Sequence, residues 1–321
     1  MKSLRIVFMG TPEFAVATLG SLLINGFNVI GVVTAPDKPA GRGRQIKQSA
    51  VKEFSGYSSL PVLQPEKLKD PSFIASLKEL DADLFIVVAF RMLPAEVWKL
   101  PRIGTINLHA SLLPQYRGAA PINHAIINGE KVTGLTTFYI NEQIDTGSIL
   151  LREEVPVFPF ENAGDLHDRM MKHGARLVIR TLSGIVSDSI SPVKQDDLTK
   201  PGQKLMPAPK ITPEFCIVDW NNEPVKIHNF IRGLSPYPCA KSSFSDGKTS
   251  VSFRIYESQP EIRSHSFTPG RFFSDGKTYL KAACNGGFIS ICSLQAEGRK
   301  KMTTPEFLRG FRISEFAVPL S

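Results

Sequence analysis

Hydrophobic residues in the first half of the chain fall into short blocks, each followed by a longer polar or amphipathic stretch. Residues 4–9 (LRIVFM) form an apolar-rich run of strand length. Gly10-Thr11-Pro12 then supplies a turn, with Thr11 expected as a helix N-cap and Pro12 at the first helical position. A helix should run to about Asn25-Gly26, followed by a strand at 27–33, a helix at 71–80 and strands at 84–89 and 103–108. Alternation of this kind predicts an α/β fold: a mostly parallel sheet with helices on both faces. Residues 133–140 and 148–157 read as an antiparallel pair closing the sheet, and 165–182 as a long amphipathic helix.

After residue 183 the pattern changes. The stretch ISPVKQDDLTKPGQKLMPAPK is rich in Ser, Asp, Lys and Pro, which marks a connecting segment. Beyond it, short apolar runs at 249–256, 270–273, 279–283 and 287–294 are separated by Gly, Ser and Asp, predicting a small β-barrel. The expected organisation is a first domain over 1–189, a linker over 190–208 and a second domain over 209–321. No internal repeat is visible.

A length of 321 residues accommodates two domains, each with its own core. Hydrophobic and charged contents of 42% and 21% are those of an ordinary globular protein, which excludes a disordered chain. There is no apolar run of membrane-spanning length, and the opening MKSLRIVFMG has no signal-peptide architecture. Cys216, Cys239, Cys284 and Cys292 lack metal-ligand spacing and are expected to be reduced thiols in a cytoplasmic protein, most of them buried. The net charge of +8 is unevenly spread: 209–321 hold 15 Lys and Arg against 10 Asp and Glu, while 1–189 hold 20 against 18. An excess gathered in the second domain and in one loop suits a polyanionic partner.

The candidate chemistry lies in NLHASLLPQYRG and the later IDTGSI. Asn107 and His109 end a β-branched run, and residues two apart on a strand share a face, so an amide and an imidazole can converge on one reacting atom. Asp145 lies in a polar turn between two strand-like runs, from which its carboxylate could reach back to His109. The set suits acyl transfer: an imidazole moves the proton of an attacking amine, a carboxylate fixes its tautomer, and an amide holds an oxyanion. Ser111 follows His109 closely but has no G-x-S-x-G elbow, and no cysteine lies near the set, so direct transfer to an amine is more economical than a covalent intermediate. The first turn, Gly10-Thr11-Pro12-Glu13-Phe14, is not G-x-G-x-x-G and gives a dinucleotide no seat.

Asn107-x-His109-x-Ser111-Leu-Leu-Pro114, Arg117-Gly-Ala-Ala-Pro121 and Asp145-Thr-Gly147 resemble the folate-dependent formyltransferases. The opening RIVFMGTPEFA, the segment PDKPAGRGR, Gln64-Pro65 and LQAEGRKKM near the C-terminus match the branch acting on charged tRNA. The resemblance covers essentially the whole chain. It implies a Rossmann-like formyltransferase domain followed by an OB-like barrel, and transfer of formyl from 10-formyltetrahydrofolate to the methionine α-amine of initiator methionyl-tRNA, with no metal. Asn107, His109 and Asp145 would be catalytic. The backbone of Ser111, Leu112, Leu113 and Pro114, with Ala89 and Phe90 nearby, would line the folate pocket.

The loop PDKPAGRGRQIK carries Lys38, Arg42, Arg44 and Lys47 around two glycines and would meet the acceptor end of the tRNA. Related enzymes acting on small amines lack such an insertion. In the second domain Lys226, Arg232, Lys241, Arg299, Lys300 and Lys301 would contact phosphates, positioning rather than reading the nucleic acid. Departures from the family pattern are Ser148 after the Asp-Thr-Gly, Arg91 in AFRMLP, and Tyr237 in a Ser-Pro-Tyr-Pro stretch, where packing into the core is expected. A monomer is the default expectation. Two rivals are a formyltransferase for a purine precursor or amino sugar, and a non-catalytic tRNA-binding protein.

Overall fold

A computed structural model describes residues 4–40, 45–200, 202–245, 250–311 and 313. The chain divides into two compact units, the first comprising 1–118, 132–156 and 167–207, the second 119–131, 157–166 and 208–321.

The first unit is a seven-stranded sheet. In chain order its elements begin β1 (Arg5–Gly10), α1 (Glu13–Ile24), β2 (Asn28–Val33), β3 (Lys38–Ala40), β4 (Gln45–Lys47), α2 (Ala50–Tyr57), β5 (Val62–Leu63) and α3 (Pro71–Glu79). They continue with β6 (Leu84–Val88), α4 (Ala95–Trp98), β7 (Gly104–His109), α5 (Pro121–Ile127, grouped with the second unit), β8 (Val132–Tyr139), β9 (Ile149–Pro156) and α6 (Ala163–Val186). The sheet order is β5-β2-β1-β6-β7-β8-β9, parallel from β5 through β7 and antiparallel at β8 and β9. Strand order reverses between β1 and β6, and ligands of open α/β sheets bind beyond the carboxyl ends of strands at such a point.

Both faces of this sheet are covered, which is why Ile6–Met9 of β1 and all of β6 read as continuous apolar runs. On one face Val7, Met9, Phe85 and Val87 pack with Phe73 and Leu77 of α3 and Val97 of α4. On the other, α6 approaches β7 so closely that a Cβ at Gly174 would meet the Leu108 side chain. The Thr137 and Thr181 hydroxyls hydrogen-bond each other there at 2.7 Å.

Two local expectations are corrected. Thr11 does not cap α1: Pro12 occupies the N-cap in an extended conformation and the helix begins at Glu13, one residue later than expected. The segment 190–208 is not a loose tether. Val193 bridges Ile149 in both directions at 2.8 and 2.9 Å, Gln195–Leu198 forms a 3-10 turn, and the Met206 carbonyl accepts from the Tyr116 N–H at 2.7 Å. Its polar composition conceals backbone pairing with the first unit as far as 207.

The second unit adds α7 (Pro224–Leu234), β10 (Ala240–Ser245), β11 (Ser250–Ile262), β12 (Phe272–Ser274), β13 (Leu280–Cys284), β14 (Gly287–Ala296), β15 (Met302–Thr303) and α8 (Thr304–Gly310). The antiparallel order is β10-β11-β14-β13-β12, with β15 also on β14. Phe244 of β10 and Phe272 of β12 belong to opposite ends of that order, yet their ring centroids are 5.0 Å apart. The sheet therefore curls into a half-barrel, an OB-like form around a core of Phe253, Ile255, Leu280 and Ile289. The expected 249–256 strand is longer, with register shifts near Glu257 that let it bend around this core. Tyr237 is 82% exposed, correcting the expectation of core packing. All four cysteines are free. Burial pushes the Cys284 thiol up to about 11, leaving it protonated and inert at neutral pH.

Candidate active site

The site is built around the end of β7. In the sequence GTINLH, Ile106 and Leu108 are buried on one face, while Thr105, Asn107 and His109 share the other. Strand β6 runs alongside in register, Val87 opposite Asn107 and Val88 opposite Leu108, so Ala89 follows where His109 ends β7. Ala89 is exposed and left-handed (φ 47°), which stops β6 and turns the chain away. The Asn107 amide is partly buried and makes no hydrogen bond to another described residue, so its N–H donors remain available to a ligand.

His109 is 7% exposed, and its Nε2 lies 2.9 Å from the Tyr116 carbonyl oxygen. A carbonyl can only accept, so Nε2 carries the proton, and in the neutral ring Nδ1 holds the lone pair. Nδ1 faces Asp145 Oδ2 at 3.7 Å, beyond direct hydrogen-bond reach. The expectation that Asp145 fixes the tautomer is thus corrected. The Tyr116 carbonyl does so, and the Asp145 carboxylate faces the ring atom that can take up a proton.

Asp145 is held from several directions. Its backbone is left-handed (φ 54°), and its Oδ2 accepts from the Gly118 N–H at 2.9 Å. The Gln195 amide donates to the carbonyls of Asp145 and Gly147, both at 2.9 Å. Gln195 Oε1 in turn accepts from Arg117 Nε at 3.0 Å and Nη2 at 2.7 Å. Gly147 has no substitute in this turn, because a Cβ there would overlap the Tyr139 carbonyl. The predicted Asn107 and His109 lie at the end of β7 and Asp145 faces His109, whereas Tyr116, Gly118, Arg117 and Gln195, whose hydrogen bonds hold His109 and Asp145, were not predicted. Arg117-Gly118 stood within a motif already singled out; Gln195 lay in a polar stretch that gave no signal.

The Ser111–Pro114 stretch is bound up within the protein. Thr136 Oγ1 donates to Ser111 O at 2.7 Å and accepts from Leu113 N at 3.1 Å, and Arg152 donates to Leu113 O at 3.2 Å. Leu112 packs over Gly134 and Pro114 is buried. The Leu113 side chain is 0% exposed among Phe138, Ile149 and Leu198, so it belongs to the core and does not line a pocket. Phe90 is partly buried against the Val7–Val97 core, with Arg91 5.4 Å above its ring. Arg91 pins the neighbouring loop by donating to Glu66 O at 3.0 Å and Pro65 O at 2.8 Å, and burial pushes its pKa below the ordinary value.

The basic loop is a hairpin, β3 against β4, with exposed Lys38 directly opposite exposed Lys47. Arg42 and Arg44 lie outside the described residues. Asp37 anchors the stem through Lys52 and Gln64, and the Lys52 bond holds its carboxyl below the usual carboxylate range. In the second unit Arg299 and Lys300 are exposed, while Lys301 pairs with Glu257 at 2.9 Å and lies 5.0 Å over Tyr256. Arg232 is buried, donating to Glu161 O at 2.9 Å and Asn229 Oδ1 at 2.9 Å, so the expected phosphate contact is corrected to a structural pin.

An α/β sheet ending in an imidazole, a carboxylate and an amide unpartnered among the described residues is a frame suited to acyl transfer. Residues 4–182 match the formyl transferase model and 210–312 match the formyl transferase C-terminal domain. The chain belongs to the formyl transferase family. It is 51% identical over 315 residues to the methionyl-tRNA formyltransferase of Bacteroides thetaiotaomicron, covering 98% of each chain. It is 50% identical over 317 residues to that of Flavobacterium johnsoniae, covering 99% of each. In fold it is similar to HypX from Aquifex aeolicus, solved in complex with tetrahydrofolic acid, with a TM-score of 0.63 and 17% identity. That match covers 99% of this chain, which spans only 49% of the HypX chain. The sugar 3N-formyl transferase WlaRD gives a TM-score of 0.62 at 21% identity over 94% of this chain and 100% of that one.

Proposed function

We propose that the chain transfers the formyl group of 10-formyltetrahydrofolate to the α-amine of methionine esterified to initiator tRNA, acting as a cytoplasmic monomer. The observation that carries the reaction type is the free Asn107 amide beside His109 at the end of β7, with the Asp145 carboxylate 3.7 Å from Nδ1. Full-length similarity to methionyl-tRNA formyltransferases supports the substrate.

The amine nitrogen attacks the formyl carbon, the carbon–N10 bond breaks, the amine loses one proton and N10 gains one, so no proton is consumed overall. Asn107 donates to the formyl oxygen as negative charge develops, an interaction of about 3 kcal/mol for one such donor. His109 Nδ1 takes the proton from the amine, and the Asp145 carboxylate stabilises the imidazolium while Nε2–H stays on Tyr116 O. Exposed Ala89 at the end of β6 and the Phe90 backbone flank the folate, with the backbone of 111–114 as a fixed wall behind. The reading is tested by supplying formyl donor with charged initiator tRNA, uncharged tRNA or free methionine. Only charged tRNA should support donor consumption, and equal turnover on free methionine would refute it.

Two lysines facing each other across a hairpin repel, which costs stability unless an anion sits between them. Lys38 and Lys47 are so placed, and a tRNA phosphate is a suitable anion. In the second unit an open groove of about 760 Å³, lined in part by Trp220, Lys241, Arg254 and Gln295, offers further cationic and aromatic surface. Replacing Arg42 and Arg44 by alanine is expected to lower kcat/KM for charged tRNA roughly 10–100-fold, through misplacement of the 3′ end. Bulk tRNA affinity should fall less and folate binding not at all; wild-type kcat/KM would make the loop a mere surface segment.

A further inference from the structure

We infer that Gln195 is a positioning residue for formyl transfer, clamping the Asp145 turn against the Arg117-Gly118 segment so that the carboxylate faces His109. The inference rests on the functional reading above. Gln195 is 2% exposed, and its side-chain bonds converge on two segments that both carry the site. Its amide nitrogen donates twice, to Asp145 O and Gly147 O at 2.9 Å each. Its Oε1 accepts a fork from Arg117 at 3.0 and 2.7 Å. The amide's two N–H groups and its carbonyl are all engaged, a complete set for one side chain.

The consequence is geometric. Gly118, whose N–H holds Asp145 Oδ2 at 2.9 Å, immediately follows the Arg117 that Gln195 grips. The clamp thus fixes the Asp145 backbone on one side and the donor to its carboxylate on the other. It acts in a strained place, since Asp145 is left-handed without being glycine and would relax if the carbonyls on either side of Thr146 were released. The Val193 bridge to Ile149 and the 3-10 turn at Gln195–Leu198 deliver the side chain to this spot. The segment joining the two family-model regions is therefore part of the site's frame.

The alternative is a buried glutamine that merely seals a loop, and a double-mutant cycle separates the two. In the full-length protein, Gln195→Ala is expected to lower kcat for charged tRNA roughly 10–100-fold, the effect of displacing a catalytic group by about 1 Å. KM for both substrates should hold. In an Asp145→Asn background the same substitution should add little, because the group being positioned has already lost its charge. A kcat unchanged by Gln195→Ala, or an equal fold-loss in both backgrounds, overturns the inference. If Gln195→Ala does not fold, Gln195→Glu keeps the Arg117 pairing but sets a charged acceptor against the two carbonyls in place of the two donors. It should show the same kcat loss, and normal kcat in that variant overturns the inference. Parent protein that binds folate yet forms no formylmethionyl-tRNA would refute the functional reading. An active parent with an indifferent Gln195→Ala refutes the clamp alone.

Discussion

Replacing His109 by alanine lowers kcat for formyl transfer about 10²–10⁴-fold with folding intact, the range for a lost general acid–base group. The loss should fall on kcat and kcat/KM together, because in the proposed mechanism Nδ1 is needed when the amine gives up its proton rather than when it binds. The stability loss should be modest, since among the described residues the ring makes a single hydrogen bond, from Nε2–H to Tyr116 O. Asn107→Ala should cost about 10²–10³-fold, as for one oxyanion donor, with even less effect on stability because its amide has no described partner. Asp145→Asn should be comparably damaging, through loss of the charge opposite Nδ1. The checks are single-turnover kinetics on charged tRNA and a thermal melt. A folded His109→Ala protein with near-normal kcat would remove the imidazole from the mechanism.

Leu113→Ala destabilises the protein by about 2–5 kcal/mol, the range for truncating a leucine in a close-packed core. Its side chain is fully buried against Phe138 and Ile149, and the two backbone hydrogen bonds of the residue hold the main chain in place, so the cavity cannot readily collapse. Denaturant unfolding measures the loss, while folate titration at a temperature where the variant is folded should be nearly unchanged. Were Leu113 a wall of the folate pocket, the order would reverse: weakened folate binding and a stability change below about 1 kcal/mol, as at surface positions. That outcome would return the side chain to the pocket.

Much of the architecture was legible because it depends on local rules. Residues 4–9 and 84–89 read as strands from apolar-rich runs, and the structure places Arg5–Gly10 and Leu84–Val88 side by side in the sheet. Asn107 and His109 could be paired on one face from strand periodicity alone. The reading failed where a residue's surroundings come from distant segments. Arg232 looked like a phosphate contact because arginine is usually exposed, but the carbonyls of Phe158 and Glu161 receive it. Tyr237 looked like core because it is aromatic, yet it is exposed. The helices Ala50–Tyr57 and Pro224–Leu234 were missed altogether; each is short enough for packing rather than periodicity to decide.

The sequence by itself determined the alternating α/β pattern, the strand that carries Asn107 and His109, the Asp-Thr-Gly turn and the basic loop, all within reach of a few neighbouring residues. Only the tertiary structure decided how the site is held. It set the tautomer of His109, through a carbonyl seven residues away, and the orientation of Asp145, through Gly118 and Gln195, 27 and 50 residues away. It also turned Leu113 inward and made the apparent linker a strap across the first unit. The physical reason is that a side chain's type limits which bonds it can make. Which partner it makes them with is fixed only when close packing brings remote backbone groups within hydrogen-bond range.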